Sequence, residues 1–203
     1  MFNLNEIWAY PTDTSFGLGV RADDFLGLER LQKLKGRSKE KYFSLMVRDF
    51  EMLKNFVIIP QNHNLTENFF FEKPRTVILQ PTKKLPKTKF WPEKKIAFRI
   101  CTISEIAQKI NFPITATSAN ISGDAPIFDI KKIKKIFGNQ VMIYDKIKKL
   151  PKISPSEIWD FTEKKNYAVA IKKSHISLPN KVKSATITPL KVIPTLIKKI
   201  AVL

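Results

Sequence analysis

The sequence predicts an α/β domain, and three observations carry that prediction. Short apolar runs rich in β-branched and aromatic residues recur along the chain, amphipathic segments of helical period lie between them, and turn residues separate the two kinds. The chain has 203 residues, 43% of them hydrophobic, which suits one compact domain with a core of its own. No internal repeat is visible.

Eight runs have the length and composition of strands: residues 7–10, 43–47, 76–80, 96–100, 114–117, 141–144, 157–161 and 167–172. The clearest helix covers 24–35, where Phe25, Leu28, Leu31 and Leu34 fall near one face, Asp23 or Asp24 can cap the start and Gly36 sits past the end. Its end delivers Arg37 into a loop. A second helix covers 104–111, with Ser104 as N-cap and Ile106, Ala107 and Ile110 on its apolar side. A third covers 129–137; Ile130, Ile133, Ile136 and Phe137 face inward, lysines face water and Gly138 stops it. The stretches 60–74 and 83–95 read as surface loops, the second because Pro86 and Pro92 interrupt any period. Residues 184–203 close on an apolar face of Ile193, Leu196, Ile197 and Ile200, interrupted by Pro194. The expected organisation is one domain over residues 1–180 and a C-terminal extension over 181–203 packed on it.

Composition narrows the classes of function. No run approaches the roughly 20 apolar residues that cross a bilayer, and the start, MFNLNEIWAYPTDT, lacks the basic and apolar regions of a secretion signal. A cytoplasmic protein without a membrane partner is expected. Cys101 stands alone, which excludes an intrachain disulfide, and with only His63 and His175 beside it no resident metal site is expected. The 36 Lys and Arg against 18 Asp and Glu give a net charge of +18, which attracts polyphosphates or nucleic acid. From Asp129 onward seventeen Lys face five acidic residues, and these suit either a solvated surface or a patch for RNA.

Three stretches carry groups suited to a ligand. The first, YPTDTSFGLG at 10–19, runs from a strand end into hydroxyls and glycines that admit close backbone approach, although alone it also fits an ordinary turn. Inside it, GLGVRA at 17–22 formally fits a dinucleotide fingerprint. That reading fails, because no apolar parallel strand precedes Gly17 and because Asp23 and Asp24 would open the next helix against a pyrophosphate. The second stretch, KGRSKEK at 35–41, holds two cations a residue apart around a glycine, able to converge on one phosphate chain or simply to face water. The third, TATSANISG at 115–123, follows a strand with small hydroxyl and amide residues and offers unobstructed backbone N–H groups. Packing alone does not account for that density of small polar groups.

Together these stretches resemble the signature of the YrdC-like family: YPTDT-x-(Y/F)-GLG, then a K-x-R loop, an arginine in V-x-(V/F)-R, and SAN-x-SG, in that order over about residues 8 to 175. The resemblance implies an open, twisted mixed α/β sheet with flanking helices and a basic concave face. It also implies an enzyme that joins L-threonine, bicarbonate or CO2, and ATP into threonylcarbamoyl-adenylate and pyrophosphate, with Mg2+ held mainly by ATP and a downstream transferase that modifies tRNA. Carried over by position, Thr14, Arg99, Ala116 and Ser156 fall at threonine-binding positions, while Lys35, Arg37, Lys41, Ser118, Asn120 and Lys172 fall at ATP-binding positions. Four departures stand out: a short leader before Tyr10, Met46 where many relatives have histidine, Glu157 in place of threonine in P-S-T-I, and Lys172 in place of an arginine. No second C-terminal domain of the kind longer relatives carry is expected. Two rival readings remain, a non-catalytic module of the same fold that binds tRNA or rRNA, and a carbamoyl-handling relative of the hydrogenase-maturation type.

Overall fold

The computed structural model describes residues 2–61, 65–162 and 169–171, the last three by backbone alone. In chain order the elements are β1 (Trp8–Pro11), β2 (Phe16–Gly19), α1 (Phe25–Leu34), β3 (Leu45–Val47), α2 (Phe50–Phe56), β4 (Val57–Ile58), α3 (Asn68–Phe71), β5 (Arg75–Pro81), β6 (Ile96–Ile100), α4 (Ser104–Ala107), β7 (Ile114–Thr115), β8 (Thr117–Ser118), α5 (Ile130–Phe137), β9 (Met142–Ile143), β10 (Glu157–Asp160) and β11 (Val169–Ile171). They form two mixed sheets. The smaller runs β8-β2-β1-β9, and the larger runs β11-β10-β5-β6-β3-β7 with β4 added on β5. Strands β1 and β9, β3 and β6, and β5 and β10 pair parallel, and the other pairs are antiparallel. The expected α/β class with an open mixed sheet is what the chain adopts.

One residue connects the two sheets along the chain, and beside it the Thr115 N–H donates across to the Val20 carbonyl at 2.8 Å. Ala116 lies between β7, on the edge of the larger sheet, and β8, on the edge of the smaller one. Ser44 holds it on both sides, accepting its N–H at 2.8 Å and donating its hydroxyl to the Ala116 carbonyl at 2.6 Å. One hydrophobic core draws on both sheets and α1 and includes Tyr10, Phe16, Leu18, Leu28, Leu31, Leu45 and Phe98, all without appreciable exposure.

The strand β2 was not legible, because Gly17 and Gly19 have low strand propensity. Close approach explains both. A Cβ on Gly19 would stand 2.7 Å from the Tyr10 ring and 3.0 Å from the Thr115 carbonyl oxygen, and the Tyr10 hydroxyl donates to that same oxygen at 2.9 Å. Gly19→Ala is therefore expected to destabilise the fold by about 1–3 kcal/mol through overpacking, read from urea denaturation. An unchanged midpoint would contradict this packing.

Helix ends follow local hydrogen bonding more than apolar period. Asp24 caps α1, accepting the Gly27 N–H at 2.8 Å and the Asn5 N–H at 2.7 Å, so the buried place at the first turn goes to its carboxylate and Phe25 is left half exposed. In α5, Ile130, Ile133 and Phe137 form the buried stripe, and Ile136 lies off it and is exposed. The expected N-cap Ser104 instead starts α4, since the Ile103 carbonyl already accepts from Ile106 and Ala107. The stretch 60–74, expected as a loop, contains α3. Its Phe69 packs edge-on against Trp159 and Phe161, with ring centroids 5.6 and 5.8 Å apart, and Phe70 is buried. The stretch 83–95 does lack regular elements, yet it buries Leu85, Phe90 and Trp91. The apolar face expected near the C-terminus lies outside the described residues.

Candidate active site

A tight turn between β1 and β2 presents Asp13 and Thr14. The Thr12 hydroxyl donates to the Ser15 carbonyl at 2.7 Å and accepts from the Thr14 and Ser15 N–H groups at 3.3 Å each, which fixes the turn from within. Opposite it, β6 presents Arg99, which is 9% exposed. Its Nη1 donates to the Thr14 hydroxyl at 3.4 Å and its Nη2 to the Asp13 carboxylate, while its buried Nε has no partner among the described residues. Met46 stands beside Arg99 in the β3–β6 register and is itself buried. Continuing the β5–β6 register by one residue puts Thr76 on the other flank, and the Thr76 hydroxyl lies 2.9 Å from that of Ser156. Thr14 and Arg99 thus touch directly, and Ser156 joins them through Thr76.

Glu157 leaves this row. Burial raises its pKa, but bonds from Lys73 at 2.7 Å, Trp159 Nε1 at 3.2 Å and Arg75 at 3.4 Å outweigh that and hold it below the usual carboxylate value. Its place in the sequence pattern is therefore occupied by a staple between β10 and β5, whose partners all lie outside the Arg99 row.

A second group surrounds β8. Lys35, the residue after α1, is 1% exposed, and its ammonium donates to the carbonyls of Ser118 and Asn120 at 2.5 and 2.6 Å. Its own carbonyl accepts the Ser122 N–H at 2.7 Å. Burial first, and the Arg37 guanidinium second, pull its pKa from 10.5 down to about 7, while the two carbonyl acceptors hold the proton against that pull. Gly36, at φ +55, turns the chain so that Arg37 reaches the same strand. Arg37 donates to the carbonyls of Lys41 and Tyr42 and to the Thr117 hydroxyl at 3.5 Å, and lies 4.8 Å above the Phe43 ring. Burial lowers its pKa as well. Beyond it opens a cavity of about 380 Å³ edged by Lys33, Arg37, Lys39, Lys89 and Glu29, the last paired with Lys89 at 2.7 Å. The Lys41 side chain is exposed, and only its carbonyl takes part.

Loop 118–124 is braced from within. The Ser118 hydroxyl donates to the Asn120 side-chain oxygen, and the Asn120 amide donates to the carbonyls of Ile121 at 2.9 Å and Asp124 at 2.7 Å. Ser118 pairs with Gly17 across β2 and β8, so the loop lies next to the strand that follows the Thr14 turn. Lys172 lies outside the described residues. Sequence reasoning missed Asp13 and Thr117 as partners of the two arginines. The signal for Asp13 was present, since it is the one charged residue in the stretch 10–19.

A family model for Sua5, YciO and YrdC proteins, described as "Telomere recombination", matches residues 1–172. The chain belongs to the Sua5/YciO/YrdC family. Among named relatives in this family, the threonylcarbamoyl-AMP synthase of Buchnera aphidicola subsp. Acyrthosiphon pisum is 33% identical over 151 residues, covering 68% of this chain and 82% of its own. That of Mannheimia succiniciproducens is 29% identical over 162 residues, covering 77% and 88%. The structure of P. abyssi Sua5 complexed with L-threonine superposes with a TM-score of 0.70 at 26% identity over 81% of this chain. This chain spans about half, 49%, of that Sua5 chain. E. coli YciO superposes with a TM-score of 0.65 at 21% identity, covering 83% of this chain and 82% of its own, and so bears on the fold alone. Family membership accounts for the order of the YPTDT, K-x-R and SAN-x-SG stretches. Among the described residues no helix is long and apolar enough to cross a membrane.

Proposed function

We propose that this member of the Sua5/YciO/YrdC family is a threonylcarbamoyl-AMP synthase. It makes threonylcarbamoyl-adenylate and pyrophosphate from L-threonine, bicarbonate or CO2, and ATP, in the cytoplasm. A downstream transferase then passes the group to tRNA as N6-threonylcarbamoyladenosine. The observation that carries this reading is the placing of two unlike groups along one strand: Arg99 against Thr14 at the turn that enters β2, and Lys35, Arg37, Ser118 and Asn120 around β8, which pairs with β2. The relatives' names support it.

The chemistry asks for no side-chain nucleophile. The threonine amine captures CO2 to give a carbamate, and a carbamate oxygen attacks the α-phosphorus and expels pyrophosphate. Positioning and charge neutralisation are then the protein's contribution. Arg99 and Thr14 hold the amino acid, with Ala116 and Ser156 flanking it. Arg37 meets the phosphates, while Lys35, through the carbonyls it grips, shapes the loop of Ser118 and Asn120 that receives the nucleotide. Lys41 and Lys172 complete the proposed ATP set. Magnesium comes as the counter-ion of ATP, held by its phosphates; the Ser118 hydroxyl and the loop amides suit the nucleotide better than they suit a divalent ion.

The lysines of α5 favour a secondary role in weak RNA contact. Lys131, Lys132, Lys134 and Lys135 are exposed on its outer face, and Lys131 and Lys134 edge a shallow cavity with Lys148 and Lys149. Pyrophosphate release and tRNA retention, measured together over a salt series, separate the two roles. Synthesis is expected without any RNA and with little salt dependence. Retention of tRNA is expected to fall steeply and without sequence preference as salt rises, with a slope that grows with the number of phosphates contacted. No synthesis at any salt, with tight selective retention of one RNA, would replace the enzyme reading by the binding module.

A further inference from the structure

We infer that Asp13 is the receptor for the α-ammonium of the amino-acid substrate, so that Asp13 and Arg99 together select a zwitterion. The inference rests on the proposed synthase reading. Asp13 and Arg99 form an ion pair whose side chains are 19% and 11% exposed, at the mouth of the Thr14 turn. A lone guanidinium there would attract any small carboxylate. With an anion against it, the pull on a plain carboxylate falls, and a ligand that brings its own cation gains an acceptor.

The hydrogen bonding leaves groups free for such a ligand. Asp13 engages Arg99 through Oδ1 only, and among the described residues no hydrogen bond reaches its Oδ2, which is not a buried atom. Arg99 has five N–H donors, of which Asp13 and Thr14 engage two. Its Nε is buried and has no partner among the described residues, so the donors left for a ligand are the remaining N–H groups of Nη1 and Nη2. Thr14, the next residue, supplies a hydroxyl partner. Cation, anion and hydroxyl thus sit within two consecutive residues and one arginine, complementary to the carboxylate, ammonium and hydroxyl of a β-hydroxy-α-amino acid. Two protons pass from the ammonium to water or bicarbonate as the nitrogen lone pair bonds the CO2 carbon, and the one N–H that remains keeps a weaker contact to Asp13 while the carbamate oxygens remain free to react.

Calorimetric binding of L-threonine and of (R)-3-hydroxybutyrate, which lacks only the amine, tests this on the full chain. The wild type is expected to prefer threonine by about 10- to 100-fold, the range of one charge-assisted hydrogen bond. Asp13→Asn is expected to lose most of that preference, weakening threonine while leaving (R)-3-hydroxybutyrate unchanged or slightly tighter, with ATP binding retained. Equal weakening of both ligands would mean that Asp13 only holds Arg99, and this overturns the inference, as does unaltered preference. Should Asp13→Asn not fold, equal binding of the two ligands by the wild type overturns it. A wild type that binds no threonine removes the synthase reading itself, a result distinct from those.

Discussion

Arg99→Ala is expected to abolish threonine-dependent pyrophosphate release while leaving ATP binding nearly unchanged. Arg99 is the one described cation in contact with the Thr14 turn, and it reaches that turn from inside the larger sheet. Its removal takes away the charge-assisted contact to the substrate carboxylate, costing about 1.5–3 kcal/mol, and leaves Asp13 as an unopposed anion that repels the same carboxylate. The two effects add, so a loss of more than about 100-fold in kcat/KM for threonine is expected. Arg99→Lys keeps the charge but loses the planar fork, and should recover part of the activity. If Arg99→Ala weakened ATP and threonine alike, the division of the site into an amino-acid half and a nucleotide half would be wrong.

Lys35→Met should be nearly as damaging, for a different reason. Its ammonium bonds the carbonyls of Ser118 and Asn120 from a position with 1% exposure, and methionine fills the volume but donates nothing. The Ser118 carbonyl keeps the Asn120 N–H at 2.9 Å, but the Asn120 carbonyl is left without a donor among the described residues, which costs about 1–3 kcal/mol, and relief from burying a charge offsets part of that. The loop that is expected to hold ATP loses its brace, so ATP-dependent turnover should fall by at least about 100-fold, with a measurable loss of stability. A folded Lys35→Met protein with normal turnover would remove the bracing role.

The pH dependence of stability gives a second reading on the same residue. The folded pKa of Lys35, about 7, lies below its ordinary value of 10.5. The unfolded chain therefore binds more protons between those two values, so the penalty of burying Lys35 is full below about pH 7 and relieved as pH rises toward 10.5. Lys35→Met lacks this relief. The stability difference between wild type and variant should grow in favour of the wild type across that window, as denaturation at several pH values can measure.

Much of the site was legible because its loops follow strands and carry residue types that packing does not require. The contact of Arg99 with Thr14 joins two stretches 85 residues apart that the family resemblance had already assigned to one substrate. The direction of Lys35 was not legible. Spacing puts Lys35 and Arg37 in one loop, but only the folded chain shows that the end of α1 turns the first inward onto carbonyls and the second toward Thr117 and Phe43. Glu157 and Met46 illustrate the same limit. Sequence marks both as departures, and the strands decide that Glu157 bonds Lys73 and Arg75 while Met46 lies directly beside Arg99. Strand β2 escaped notice because glycine propensity describes an isolated chain, whereas Gly19 is required by the ring of Tyr10.

The single-residue connection at Ala116 also limits where this chain can change length. Inserting one residue between Thr115 and Thr117 would reverse the alternation of side chains along β8, so that Ser118 and Thr117 exchange faces against Gly17 and Leu18 and Arg37 loses its hydroxyl partner. No turn is available there to absorb the extra residue. The connection between β5 and β6 is different, since residues 83–84 and 93–95 are exposed and outside regular elements, where added chain costs little. Insertions and deletions should therefore accumulate in that connection, while the distance along the chain from β7 to the Ser118 loop stays fixed.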